Sequence, residues 1–193
     1  MINPEFAGTK NKINVSVRMN EVGDIKYDPT CLQRQTIDTS ALNGCIAVVA
    51  LFRGQTEGDA SVLLSHFPPS GDANRAASNI SDAATLQSAH NRKPETIVIM
   101  APGRWSKDDS TGFMIKKPYA TVEPDIEGYK LALKASADTK VIIIGYTLDD
   151  SALQGYSFDP TLGTMTAAFY PSANGIPQLM VSAEGSTVPV LTL

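Results

Sequence analysis

The chain has 193 residues, 42% of them hydrophobic and 19% charged, with a formal net charge of −4. It can bury a core, lies outside the disordered and low-complexity classes, and has the length of one domain. Two cysteines and two histidines exclude a dense disulfide framework and paired all-Cys/His zinc sites, so cysteine or histidine chemistry has few candidates.

Residues 1 to 12 are polar and lack the charged head and apolar stretch of a secretory signal. They read as a flexible N-terminus, with Pro4-Glu5-Phe6 resembling a cloning remnant, ahead of a single domain over 13–193. Ile13 to Met19 alternates apolar and polar residues with period two and predicts a half-buried strand; a turn-rich stretch runs from Gly23 to Pro29. Cys45 to Phe52 is a near-continuous apolar run, Gly54 to Asp59 a polar loop, and Val62 to Phe67 a second apolar run closed by Pro68-Pro69. Together they predict a hairpin. Ser78 to Arg92 predicts a helix capped by Ser81 or Asp82. Thr96 to Met100 predicts a short buried strand ending at Ala101-Pro102-Gly103, Asp125 to Ala137 a helix after Pro124, and Lys140 to Tyr146 another strand. Three weaker strands follow, at Thr164 to Tyr170, Gln178 to Ser182 and Val188 to Leu191. The expected fold class is α/β of the α+β kind, a β-sandwich or layered mixed sheet flanked by two main helices in one domain.

After Lys140 there is no Lys or Arg, and Asp149, Asp150, Asp159 and Glu184 carry the whole net charge. The basic residues Arg104, Lys107, Lys116 and Lys117 are interrupted by Asp108 and Asp109. They read as a solvated loop rather than the basic, aromatic-interleaved stripe of a nucleic-acid binder. No stretch approaches the roughly 20 apolar residues of a membrane span. Nucleotide-loop, zinc-protease and serine-hydrolase motifs are missing. The Asp pairs at 108/109 and 149/150 read as turn formers rather than cation sites.

The informative segment is Thr39-Ser40-Ala41-Leu42-Asn43-Gly44-Cys45, followed by the hairpin that carries His66. Cys45 follows an Asn-Gly turn at the mouth of a buried strand. The midpoint of positions 45 and 66 falls inside the Gly54 to Asp59 loop, so hairpin pairing sets the two residues opposite each other, with Cβ atoms about 4.5 to 5.5 Å apart. That spacing suits a nucleophile and its base: the imidazole takes the thiol proton, the sulfur attacks a carbonyl, and a third group holds the ring. It equally suits Cys45 as a small buried hydrophobe and His66 as a satisfied strand histidine. In that second case the Cys45 thiol should react with iodoacetamide at neutral pH no faster than Cys31. Cys31 itself reads as a structural thiol, and His90 as an exposed residue or a charge complement at a helix end.

The segment resembles the cysteine glutamine-deamidases, a group that includes the bacterial chemotaxis receptor deamidase, the catalytic domain of cytotoxic necrotizing factor and Burkholderia lethal factor. Their pattern is a short Leu-[Ser/Gly]-[Ser/Gly]-Cys turn entering an apolar strand, a His one hairpin later, and often a Thr six positions before the Cys. Here Leu42-Asn43-Gly44-Cys45 leads into Ile46-Ala47-Val48-Val49, Leu64-Ser65-His66-Phe67-Pro68 follows, and Thr39 stands six before Cys45. The resemblance covers roughly residues 39 to 69, with Asn43 where the group has a small Ser or Gly.

The resemblance implies hydrolysis of a protein glutamine side chain to glutamate with release of ammonia. Cys45 would form the thioester, His66 would serve as base and then acid, and Thr39 would orient the His66 ring. Backbone N–H groups at the Asn43-Gly44 turn, those of Gly44 and Cys45, would bind the oxyanion. It implies no metal and no cofactor, and a protein substrate bearing a target glutamine as partner. The setting it implies is a bacterial toxin or effector, secreted without a visible signal peptide into the host cytoplasm. A bacterial cytoplasmic chemotaxis-receptor deamidase is the alternative, although its usual Leu-Gly-Ser-Cys is absent. Two other classes share these residues: a non-enzymatic β-rich interaction module, and a cysteine peptidase or transglutaminase.

Overall fold

The computed structural model describes residues 14–56, 58–147, 163–170, 178–183 and 186–192. The strands are β1 (Asn14–Ser16), β2 (Glu21–Lys26), β3 (Gln35–Thr39), β4 (Ile46–Arg53), β5 (Ala60–Phe67), β6 (Lys93–Lys107), β7 (Met114–Pro118), β8 (Lys140–Thr147), β9 (Met165–Tyr170), β10 (Gln178–Ala183) and β11 (Ser186–Thr192). Helices α1 (Ala73–Ala89) and α2 (Glu123–Ala132) lie between them. Six strands form one sheet, in the order β2-β5-β4-β6-β7 with β8 parallel to β6. The other five form a second sheet, in the order β1-β3-β9-β10-β11.

β4 explains the layering. Its residues Ile46, Val48, Ala50 and Phe52 pack with Ile80 and Ala84 of α1 and Ile126 and Tyr129 of α2. The alternate residues Ala47, Val49 and Leu51 pack with Ile37, Ala167 and Phe169 of the second sheet. A strand buried on both faces is written as a continuous apolar run rather than an alternating one. The chain is therefore the expected layered mixed sheet with two helices, in the order helices, six-stranded sheet, five-stranded sheet.

Local readings differ in several places, and the strand expected over Ile13 to Met19 is only the three residues of β1. Gly23, expected in a turn, lies inside β2, where a Cβ would stand 2.8 Å from Val17 Cγ2; it serves close packing. Helix α1 begins five residues before the expected Ser78. Asp72 caps it by accepting from the N–H groups of Asn74 and Arg75, so Ser81 and Asp82 are interior. Asn91, at φ 56°, follows its C-cap His90, and Lys134, at φ 54°, follows the end of α2 short of Ala137. Finally, β6 does not stop at Ala101-Pro102-Gly103 but runs on to Lys107 and pairs with β7. A Cβ at Gly103 would collide with the Lys117 carbonyl, so glycine is what admits this crossing. Arg104, Lys107, Lys116 and Lys117 thus belong to a two-stranded arm, not a loop.

Residues 1–12 and the Asp149-Asp150 pair lie outside the described residues. Among the described residues no helix is long and apolar enough to cross a membrane.

Candidate active site

The turn before β4 is built as its sequence demands. Cys45 N–H donates to Leu42 O at 2.6 Å, and both central residues have positive φ, 44° at Asn43 and 101° at Gly44. That is the backbone for which Asn-Gly is the preferred dipeptide. Ala41 is also left-handed, at φ 56°. Two contacts from distant parts of the chain fix the turn. Leu42, fully buried, donates its N–H to Gly163 O at 3.2 Å, and a Cβ on Gly163 would press to 2.7 Å from Leu42 Cβ. Tyr146 of β8, also buried, accepts the Gly44 N–H at 2.8 Å and donates its hydroxyl to Cys45 O at 2.7 Å. Cys45 is consequently held at the mouth of β4, 7% exposed, among core residues of the two sheets.

His66 stands near the end of β5, and the register corrects the expected opposition. Its direct partner is Ala47, because the loop closes with Arg53 opposite Ala60, one residue later than the midpoint of 45 and 66. Cys45 lies two residues before Ala47, so it shares a sheet face with His66 as a diagonal neighbour, about 7–8 Å away at the backbone. Across the gap between the sheets, Thr39 at the end of β3 places Oγ1 2.8 Å from His66 Nδ1 and 2.7 Å from Val17 O. Val17 O only accepts, so the single Thr39 hydroxyl proton goes there and Oγ1 accepts from Nδ1–H. The tautomer follows: Nε2 carries the lone pair. Nε2 is buried and has no hydrogen-bond partner among the described residues.

Burial sets the charge states of both groups. It pushes the Cys45 thiol above its usual 9.0 and His66 below its usual 6.5. The resting pair is therefore a thiol and a neutral imidazole, not a thiolate and imidazolium. Alkylation of the free protein should accordingly not single out Cys45, which is covered and protonated, and so does not separate a catalytic thiol from a structural one; Cys31 is partly exposed, its Sγ on Gln33 O at 3.5 Å. The pH dependence has a definite sign, because only neutral His66 accepts a proton. A catalytic role for this pair would require kcat/KM to climb with pH through an inflection below 6.5 and to stay level until the thiol ionises above 9.0. A pH series at constant ionic strength reads this; activity that falls with rising pH across the same range contradicts it.

The oxyanion expectation needs correction. Gly44 N–H is taken by Tyr146 and Cys45 N–H by Leu42 O, so both anticipated backbone donors are engaged. Asn43 is exposed at the turn, and its carboxamide makes no hydrogen bond among the described residues.

Beside the turn lies a groove of about 450 Å³, walled by Gly44, Pro69, Gly71, Pro102, Tyr119 and Val122 among others. Its Pro69–Gly71 side is pinned by the wholly buried carboxylate of Asp125 in the first turn of α2. That group accepts from Ser70 N–H at 2.7 Å, Ser70 Oγ at 2.6 Å and Gly71 N–H at 2.8 Å. Sequence reasoning missed Tyr146, Asp125 and the groove. Of these only Asp125 carried a local signal, an acid near a helix start. His90 caps the C-terminus of α1 and is exposed, and among the described residues no three His, Cys, Asp or Glu side chains are grouped to hold a metal. Compared with known families and curated proteins, the chain matches no family model and no curated sequence.

Proposed function

We propose that the chain is a protein-glutamine deamidase with Cys45 as nucleophile, His66 as base and then acid, and Thr39 as the residue that orients the ring. The observation that carries this reading is the Thr39–His66 contact between the sheets. Most buried histidines with a purely structural role pair both ring nitrogens. His66 satisfies only Nδ1 and leaves Nε2 bare on the sheet face it shares with Cys45, an omission that costs about 1–3 kcal/mol.

The chemistry runs on one proton. A glutamine carboxamide enters from the groove, Sγ attacks its carbonyl carbon, and the thiol proton passes to Nε2. The imidazolium then protonates the amide nitrogen, the C–N bond breaks, and ammonia leaves a thioester on Cys45. Water gives a proton to Nε2 and attacks the thioester; breakage of the C–S bond releases glutamate, and the proton returns to sulfur. With the two backbone N–H groups engaged, the free carboxamide of Asn43 is the donor we assign to the oxyanion. Asn43→Asp keeps the turn-forming residue type and removes the N–H donor, so it should lower kcat about 10²-fold with KM little changed. Unaltered kcat would leave Asn43 as a turn former only.

The partner in this reading is a protein bearing a target glutamine. The setting we attach, a bacterial effector acting in a host cytoplasm, rests on the sequence resemblance to secreted toxins. The engaged Gly44 and Cys45 amides favour one other reading, a β-rich interaction module in which the turn is purely structural. Coupled-enzyme measurement of ammonia released from a mixed protein extract separates the two. Deamidation requires release by the wild type and none by Cys45→Ser; the module releases none with either. Cut peptides or isopeptide crosslinks without ammonia-for-water exchange would assign Cys45 to a peptidase or transglutaminase instead.

A further inference from the structure

We infer that the β6–β7 arm is a docking site for acidic residues flanking the target glutamine, which makes the substrate class proteins with an acidic segment beside that glutamine; this rests on the deamidase reading of Cys45. Arg104 and Lys117 occupy directly opposed positions in the arm. Like charges directly opposed on a sheet destabilise it. Neither residue has an ion-pair partner among the described residues. A ligand that brings negative charge resolves that repulsion.

The pair is also placed for the site. The ladder between the arm strands continues through Tyr119 N–H donating to Pro102 O at 3.0 Å, and both residues wall the groove beside Gly44. Arg104 and Lys117 each stand two positions along from that rung. They therefore share its face about 7 Å further out. The groove's walls carry no charged side chain, so they accept the neutral glutamine, and charge selection falls to the rung above.

The arm's own acids do not cancel the pair. Asp108 is folded into the hairpin turn, its carboxylate accepting from the Ser110 and Thr111 hydroxyls and N–H groups, which pulls it down to about 2. Asp109 is exposed beside it at the tip. Phe113, 74% exposed at the same tip, adds apolar contact area. In a chain of net charge −4, this locally basic rung gives an acidic segment one favoured orientation. At about 3.3 Å per extended residue, the matching carboxylates lie roughly two to four residues from the glutamine.

The test uses full-length Cys45→Ser protein and labelled, end-blocked peptides with one central Gln, flanked at those positions by Glu in one series and Lys in the other. Fluorescence anisotropy at low salt should show binding of the Glu peptide, weakening with added salt, and a loss of about tenfold or more in Arg104→Glu/Lys117→Glu. Arg104→Gln/Lys117→Gln serves as a milder second variant. It relieves the repulsion, so its Tm should not fall while Glu-peptide binding weakens. No binding of the Glu peptide, equal binding of the two peptides, or binding unchanged in both variants overturns the proposal. The two readings fail separately. Acid-selective binding without ammonia release from any substrate by the wild type refutes deamidation and leaves the docking site. Deamidation of Glu and Lys peptides with equal KM refutes docking and leaves deamidation.

Discussion

Replacing His66 by Gln should lower the kcat of glutamine deamidation by about 10³-fold or more. Gln retains a polar group that can reach toward Thr39, but it cannot take a proton from Sγ and return it to the leaving nitrogen. The same substitution has a stability signature of fixed sign. His66 is held below 6.5 by burial, so as pH falls from that value the unfolded chain binds a proton that the folded chain resists. Stability due to the neutral ring is fully present above 6.5 and is lost as pH falls through the lower, folded value. Urea unfolding across mildly acidic pH should therefore show a steeper loss for the wild type than for His66→Gln. Retained activity would return His66 to the status of a core residue, and equal slopes would contradict the depression of its pKa by burial.

Cys45→Ser should have the largest effect, a loss of about 10⁴-fold or more in ammonia release. The serine hydroxyl is a far weaker acid than a thiol, and the base available is an imidazole whose basicity burial has lowered. The fold should survive, since the side chains are nearly the same size; the cost is the burial of a hydroxyl, about 1–3 kcal/mol. Cys45→Ala avoids that cost and should be equally inactive. Because nucleophile and base act as one unit, Cys45→Ser combined with His66→Gln should be no slower than Cys45→Ser alone. Fully multiplicative losses would mean that the two side chains act independently, and the coupling between them would be refuted.

What could be read from the chain beforehand was what local patterning encodes. The apolar runs of β4 and β5 are continuous because their strands are buried, and the Asn43-Gly44 pair announces its own turn through the positive φ it tolerates. The layered class follows from those runs and two amphipathic segments. Register was not legible, because it depends on how the Gly54–Asp59 loop closes; one residue of difference there moved His66 from Cys45 to Ala47. β3 was also missed, since of its residues Gln35–Thr39 only Ile37 is apolar. Thr39 was named through the resemblance, and the structure set it against His66. Tyr146 reaches the turn across about a hundred residues of chain, a contact that no local pattern can announce. The arm was misread for a related reason. Its basic residues look solvated in sequence, and only the pairing at Gly103 reveals that two of them face each other.

Site-resolved mass spectrometry tests the Cys45 assignment most directly. A host-cell protein extract is incubated with wild type or with Cys45→Ser, and glutamines converted to glutamate are mapped by their mass gain. The expected result is a discrete set of converted glutamines with the wild type that is missing with Cys45→Ser. Identical maps from the two proteins across the extract would contradict deamidation by Cys45.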